Sequence, residues 1–252
     1  MKHIFYIVLF LLSITACKTR ELHVNKIQTE VIAINTEAYS NKQLEASILP
    51  YKKQLEEEMN EVLAYCPKDM YKGRNSGKAE TAIGNFMADL CYKHANPIFQ
   101  EKTGKSIDFV LLNFGGIRAG IPQGDVTVRT AYEVMPFENS MVVVGLSYEK
   151  LMELFTYLAV NHKAHPISKQ LQIVLNEEKA TKALINGKEI GKKATFYILT
   201  SDYLQHGGDR MNFFKNSTNL YKLNYKIRTA ILDELRDIEV INAKEDGRMK
   251  WE

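Results

Sequence analysis

Three short segments concentrate the side chains that could do chemistry. Asn113-Phe114-Gly115-Gly116-Ile117-Arg118 closes an apolar run with an amide, two glycines and a guanidinium. Glycines without side chains let the backbone come close to a bound molecule. Asn113 offers a donor and an acceptor, and Arg118 a planar fork of donors suited to a phosphate or a pair of hydroxyls. Pro136-Phe137-Glu138-Asn139 precedes the apolar run Met141 to Val144, and Tyr197 to Tyr203 runs into His206-Gly207-Gly208-Asp209. A polar Gly-Gly turn is common by itself. Two aromatic rings, an arginine, an asparagine and an aspartate together are what a nucleoside site needs: rings to sandwich a base, a carboxylate for ribose hydroxyls, a guanidinium for phosphate.

These segments need strands and helices to hold them. Ile107 to Leu112 is a short, continuous, branched and aromatic run, which predicts a buried strand ending at Asn113. Pro50 is expected to open a helix with Tyr51, Leu55, Met59, Val62 and Leu63 on one apolar stripe and Glu56, Glu57 and Glu58 facing water. Glu80 to Ala95 reads as a second, well-packed helix, in which Gly84 implies either a close helix contact or the approach of a ligand. Tyr148 to His162 reads as a third, burying Leu151, Leu154, Phe155 and Leu158. Leu171 to Leu175 and Thr195 to Leu199 are expected strands, separated by a hairpin at Asn186-Gly187, and Asn224 to Leu235 the last helix. Val31 to Asn35 would add an edge strand. Helices and strands alternate irregularly, which predicts an α+β fold, a mixed sheet packed with helices.

The order NFGGIR, GDVT (Gly124 to Thr127), MPFEN, Tyr203 six residues before the aspartate of GGD, and a final DGR (Asp246 to Arg248) resembles the C-terminal, substrate-binding domain of bacterial and animal 5'-nucleotidases. The resemblance covers about Leu49 to Trp251. It implies that Phe137 and Tyr203 clamp a nucleobase and that Asp209 accepts from the ribose hydroxyls, with Gly115, Gly116, Gly207 and Gly208 allowing close approach. It places Arg118 near the ribose and α-phosphate, Asn113 at the base edge, and Asn139 in a similar polar role. There are departures. Phe114 replaces the first of three consecutive glycines, and Tyr203 stands where phenylalanine is usual. Arg74 and Lys78 offer phosphate contacts at altered spacing. Ser168-Lys169-Gln170 lacks the glycine of the family's base-edge loop, so base selectivity does not carry over.

The two-metal phosphoesterase domain that such enzymes place ahead of this one has no counterpart motif: there is no Asp-x-His, no Gly-Asp-x-x-Asp and no Gly-Asn-His-Glu. His162 and His165 stand three apart beside Pro166 without carboxylate neighbours, and a solvent-facing pair is expected there. No metal, cofactor or catalytic residue is therefore assigned to this chain. Hydrolysis would require a separate metallophosphoesterase chain supplying divalent metals. The alternative is a stand-alone lipoprotein that captures nucleosides or nucleotides without hydrolysing them.

Lys2 and His3, the apolar run Ile4 to Ile14 and the small residues before Cys17 resemble a bacterial lipoprotein signal, with Cys17 as the lipidated residue and residues 18–48 as a tether ahead of a domain at 49–252. Each buried acyl methylene contributes about 0.8 kcal/mol of membrane affinity. The expected location is the bacterial cell envelope. With 33 basic and 30 acidic residues the chain is nearly balanced, and it has no basic run of the kind that binds nucleic acid. Cys66 and Cys91 could pair in an oxidising envelope, but both read as helical, apolar positions that equally suit free thiols, and no disulfide is expected.

Overall fold

The computed structural model describes residues 24, 26–31, 41–73, 77–192, 195–217 and 219–252. The signal segment, Cys17, most of the tether, nearly all of the Val31 to Asn35 strand and Arg74 lie outside the described residues. The chain divides into two units, Met1–Ile48 and Leu49–Glu252. Of the first, residues 24 and 26–31 have no regular secondary structure.

The first described helix, α1, runs from Lys42 to Met59 with Pro50 inside it. It begins earlier than expected because the Asn41 side chain accepts from the amides of Gln43 and Leu44, each at 3.1 Å, and so caps the N-terminus. No residue of α1 is buried, so the stripe read from Tyr51 onward is not a core face. Val62 and Leu63 belong instead to β1 (Val62–Cys66), which pairs antiparallel with β3 (Gly124–Thr127).

Between them come α2 (Ala82–Thr103) and β2 (Phe109–Val110). Thr81 caps α2 by accepting from Gly84 N–H at 3.1 Å. A Cβ on Gly84 would lie 2.9 Å from the Thr81 hydroxyl and 3.6 Å from Pro166, so the close neighbours are the helix's own cap and a loop proline rather than another helix. The helix passes Ala95, where the sequence reading stopped it, and carries Pro97 internally. Buried Phe99 rewards that continuation, and Gly104, at φ 69°, ends the helix by donating to the Gln100 carbonyl.

The remaining elements are α3 (Val128–Val134), β4 (Ser140–Leu146), α4 (Tyr148–Asn161), β5 (Leu171–Leu175), β6 (Ala180–Ile185), β7 (Lys188–Glu189), β8 (Phe196–Ser201), the single turn α5 (Asp202–Gln205), β9 (Leu220–Lys226), α6 (Ile227–Asp237) and β10 (Met249–Trp251). Helix α4 and strand β5 match the expected ranges closely, and Asn186-Gly187, both at positive φ, turn the β6–β7 hairpin. The expected last helix starts late. Asn224, at φ 55°, lies in β9 next to a register irregularity, because β4 needs an antiparallel partner and Leu223 is buried in the core.

The fold is α+β. The central sheet has the order β2-β8-β4-β9, with β2 parallel to β8 and the other pairs antiparallel. A second mixed sheet has the order β10-β5-β6-β7. Side chains alternate across the central sheet. Val110, Met141 and Val143 face a core shared with α2 and α6, while Phe109, Val142 and Val144 face one shared with α4 and β5. Burial on both faces explains why these strands read as unbroken apolar runs rather than alternating ones. Register pairs Val110 with Leu199 and Met141 with Ser201, so the C-terminal ends of β2 and β8 and the N-terminal end of β4 reach the same edge. Cys66 and Cys91 are buried free thiols; Cys66 sits on strand β1, not on a helix.

Candidate functional site

At that shared edge the three sequence-selected segments meet. After β2, Asn113 accepts the Gly116 amide at its own carbonyl (3.0 Å), which folds Phe114–Gly116 into one 3-10 turn. Before β4, the loop carrying Phe137 is pinned from below. Glu138 pairs with Lys226 and Arg228, Asn139 O accepts from Ile227 N–H at 3.0 Å, and Met135 O accepts from Arg228 at 3.2 Å. After β8, Ser201 caps α5, and Gly207 at φ 89° reverses the chain into Gly208-Asp209-Arg210. Asp209 itself is left-handed, at φ 52°, and Tyr157 of α4 donates to its carbonyl at 2.9 Å. Burial pushes the Tyr157 hydroxyl up to about 12, helped by the nearby Asp209 charge, so it stays a donor.

These loops enclose a cavity of about 270 Å³. Its wall is made by Asn113, Gly115, Gly116 and Arg118 from the first segment, Phe137 and Asn139 from the second, and Tyr203 and Asp209 from the third. Both carboxylate oxygens of Asp209 already have donors: Asn113 Nδ2 at 2.7 Å from Oδ2 and Tyr203 OH at 3.1 Å from Oδ1. The tyrosine that stands in place of phenylalanine thus spends its hydroxyl on Asp209. Phe137 and Tyr203 are 41% and 45% exposed, large rings left partly open at the cavity. The Arg118 guanidinium lies 5.8 Å from the Phe137 ring centre and donates to Gly115 O at 3.3 Å.

Space around the glycines is tight. A Cβ on Gly116 would come 2.7 Å from Asn113 Oδ1, and one on Gly208 would come 2.4 Å from the Tyr203 ring. Gly207 and Gly208 do not line the cavity; they bend the chain and give the Tyr203 ring its seat. Lys78 does not line it either, because its ammonium pairs with Glu245 at 2.9 Å. Ser168 is fully buried and accepts from Val110 N–H at 2.9 Å, so the Ser168-Lys169-Gln170 segment braces β2 rather than facing the cavity.

The histidine pair is not solvent-facing throughout. His162 is exposed and stacks on Trp251, whereas His165 is 2% exposed, and its Nδ1 accepts from Phe114 N–H at 3.2 Å. Burial lowers its proton affinity to about 4, so the ring is neutral with the proton on Nε2. Tyr157, His165 and Lys72 support the site; the sequence drew attention to His165 only as one of an expected solvent-facing pair, and not to Tyr157 or Lys72. Only the Tyr157 and His165 ring types gave any signal, and nothing local tied them to these turns.

Among the described residues one group places three metal-ligand atoms together: His94, Glu234 and Asp237. Glu234 Oε2 there accepts from Lys93 Nζ at 2.7 Å and faces His94 Nε2 at 2.8 Å. An ammonium already supplies the positive charge, so this group does not fit a two-metal phosphoesterase centre.

The profile of the family described as 5'-nucleotidase, C-terminal domain, matches residues 62–216. The trifunctional nucleotide phosphoesterase protein YfkN of Bacillus subtilis is 24% identical over 90% of this chain, which covers 16% of that protein. Two solved structures have the same fold over most of the chain. The 5'-nucleotidase precursor of Thermus thermophilus superposes with a TM-score of 0.68 at 21% identity, over 83% of this chain and 43% of that one. The NAD nucleotidase of Haemophilus influenzae superposes with a TM-score of 0.63 at 16% identity, over 84% of this chain and 41% of that one. The chain therefore spans less than half the length of each of these proteins.

Proposed function

The chain belongs to the 5'-nucleotidase C-terminal domain family, and from that premise we propose that it is the nucleotide-recognising component of a split 5'-nucleotidase. The observation that carries this reading is the convergence of the three segments on one cavity, with two open rings beside a carboxylate. Stacking between Phe137 and Tyr203 would accept any base, since every base presents a π-face. Each Asp209 oxygen has a single protein donor, which leaves lone pairs for the 2' and 3' hydroxyls of a ribose. Arg118 stands at the same wall for the phosphate. Energy from base and ribose would then hold the phosphate in place for a reaction performed by another component.

That component is a separate metallophosphoesterase chain, whose divalent metals would supply the activated water and clamp the phosphoryl oxygens. Cys17 would carry lipid and tether the domain to a bacterial envelope membrane; no helix among the described residues is long and apolar enough to cross one. Detergent partitioning tests the anchor: Cys17→Ser moves the chain to the aqueous phase, and an unchanged distribution refutes lipidation there.

Calorimetric titration with AMP and adenosine, with phosphate release followed in the same samples with Mn²⁺, tests the division of labour. Binding without release is expected from the purified chain. Hydrolysis that survives repurification and vanishes with Asp209→Asn would overturn the split.

A further inference from the structure

Helix α1 buries no residue, yet it carries an ordered apolar stripe. Leu44, Ile48, Tyr51 and Leu55 follow one another in steps of four, three and four residues, the spacing of core positions in a coiled coil. Each of the four is more than half exposed. Pro50 falls away from this stripe, so its ring does not interrupt it. A helix of this length is marginal in water without packing, and an apolar face on it needs a cover.

The charges point to the kind of cover. Lys42, Lys52 and Lys53 stand against Glu45, Glu56, Glu57 and Glu58, so α1 lacks the basic excess with which a surface helix holds an acidic membrane. Glutamates crowd its last turn beside the negative end of its own dipole, and no basic residue of that turn offsets them. Glu56 pairs with Arg129 at 2.6 Å and Glu58 accepts from Gln54 at 2.9 Å. Glu45, Glu57 and the three lysines form no ion pair among the described residues. A second α1 running antiparallel answers both the stripe and the charges. With Leu44 opposite Leu55 of the second copy and Ile48 opposite its Tyr51, two-fold symmetry supplies the reverse pairs and closes the stripe. In that register Glu45 flanks Lys52 of the second copy. Glu57 and Glu58 then come beside its Lys42 and the positive end of its dipole. A parallel pair would set lysine against lysine and glutamate against glutamate.

We propose that α1 is a self-association element, through which two copies of the chain pair antiparallel along Leu44, Ile48, Tyr51 and Leu55, with Glu45 and Lys52 fixing the register. The interface is small, so the dimer is weak, with a Kd on the order of 10 μM. This pairing does not depend on the reading of the nucleoside cavity.

The test is sedimentation of the whole chain across roughly 1–500 μM, as wild type, Leu55→Gln, Glu45→Lys and Lys52→Glu. All three positions are exposed, and unchanged urea midpoints would show that the variants fold. Wild type is expected to pass from monomer to dimer in this range, and Leu55→Gln to stay monomeric. Glu45→Lys and Lys52→Glu should each weaken the dimer about tenfold, since each turns two attractive contacts into repulsive ones. An equimolar mixture of these two variants should recover wild-type strength, because each then meets its complement. A wild type that stays monomeric throughout would overturn the proposal, and binding of that monomer to phosphatidylcholine vesicles would give the stripe to a membrane instead. A dimer unaffected by Leu55→Gln, or a mixture no stronger than either variant alone, would overturn it too.

Discussion

At the scale of single residues, the contact between Tyr203 and Asp209 separates two roles that one ring performs. The ring leans on Gly208 and faces the cavity, while its hydroxyl holds Asp209 Oδ1 at 3.1 Å. Tyr203→Phe keeps the ring and releases one acceptor on the carboxylate, so adenosine affinity is expected to stay within about threefold, well under the value of a whole stacking contact. Tyr203→Ala and Phe137→Ala each remove a stacking face and should weaken adenosine, guanosine and uridine alike, by about 1–3 kcal/mol. Parallel titrations with three nucleosides read this directly. A loss confined to one base would show that the ring selects an edge rather than stacks. At Asp209 the backbone matters as much as the carboxylate. Asparagine tolerates φ 52° far better than alanine, so Asp209→Asn removes the charge while keeping the turn.

At the scale of elements, the turn after β2 depends on a buried histidine that belongs to another loop. His165 accepts the Phe114 amide, and its Nε2 is buried without a hydrogen-bond partner among the described residues. Burial is the largest cause of its depressed affinity for a proton, and Lys163 adds to it, while Asp209 and the Leu112 carbonyl act in the opposite direction. The folded value of about 4 lies below an unfolded value of about 6.5. The unfolded chain therefore takes up the proton first. The stability contributed is fully present above about pH 6.5 and is lost as the pH falls toward 4, to a limit of about 3 kcal/mol. Urea unfolding of wild type and His165→Asn across this range checks it: the variant should show the shallower fall, and parallel curves would mean that His165 titrates normally. The elements also mark where local sequence gives out. Leu151, Leu154, Phe155 and Leu158 show helical spacing, and helix α4 buries all four. The helix end read at Ala95 and the helix start read at Asn224 both fail, because a buried Phe99 carries α2 on through Pro97 and the demands of β4 hold Asn224 in a strand. Tertiary contacts overrode local preference in both places.

At the scale of the whole domain, the chain end is fastened through one buried cation. Arg248, 5% exposed, donates to both oxygens of Asp89 on α2 at 2.9 Å, to Asp246 at 2.7 and 2.8 Å, and to Ile167 O at 3.0 Å. This joins strand β10 and the second sheet to helix α2, and it gives the DGR motif a structural role outside the cavity wall. Hydrogen bonds from Arg248 hold the Asp246 carboxyl below the usual carboxylate range. Arg248→Met leaves two carboxylates facing each other and should cost about 3–5 kcal/mol in urea unfolding, with adenosine affinity retained by the folded fraction; a loss under about 1 kcal/mol would contradict this. The wall of the site was legible because turn residues carry their chemistry locally: glycines, an amide, a guanidinium and rings beside strand ends. Lys72 was not, since the carbonyls it holds lie 42 and 45 residues further along the chain, at Phe114 and Ile117. His165 was not, since a histidine beside a proline gives no sign of being buried until the loop is packed under Phe114.

The central claim is that Asp209 and the two rings form a nucleoside site, and titration of adenosine into wild type and Asp209→Asn tests it most directly. Saturable binding to wild type, weakened roughly tenfold or more when the carboxylate becomes an amide, is the predicted result. Equal affinity in the two proteins, or no binding to a folded wild type, would contradict the assignment.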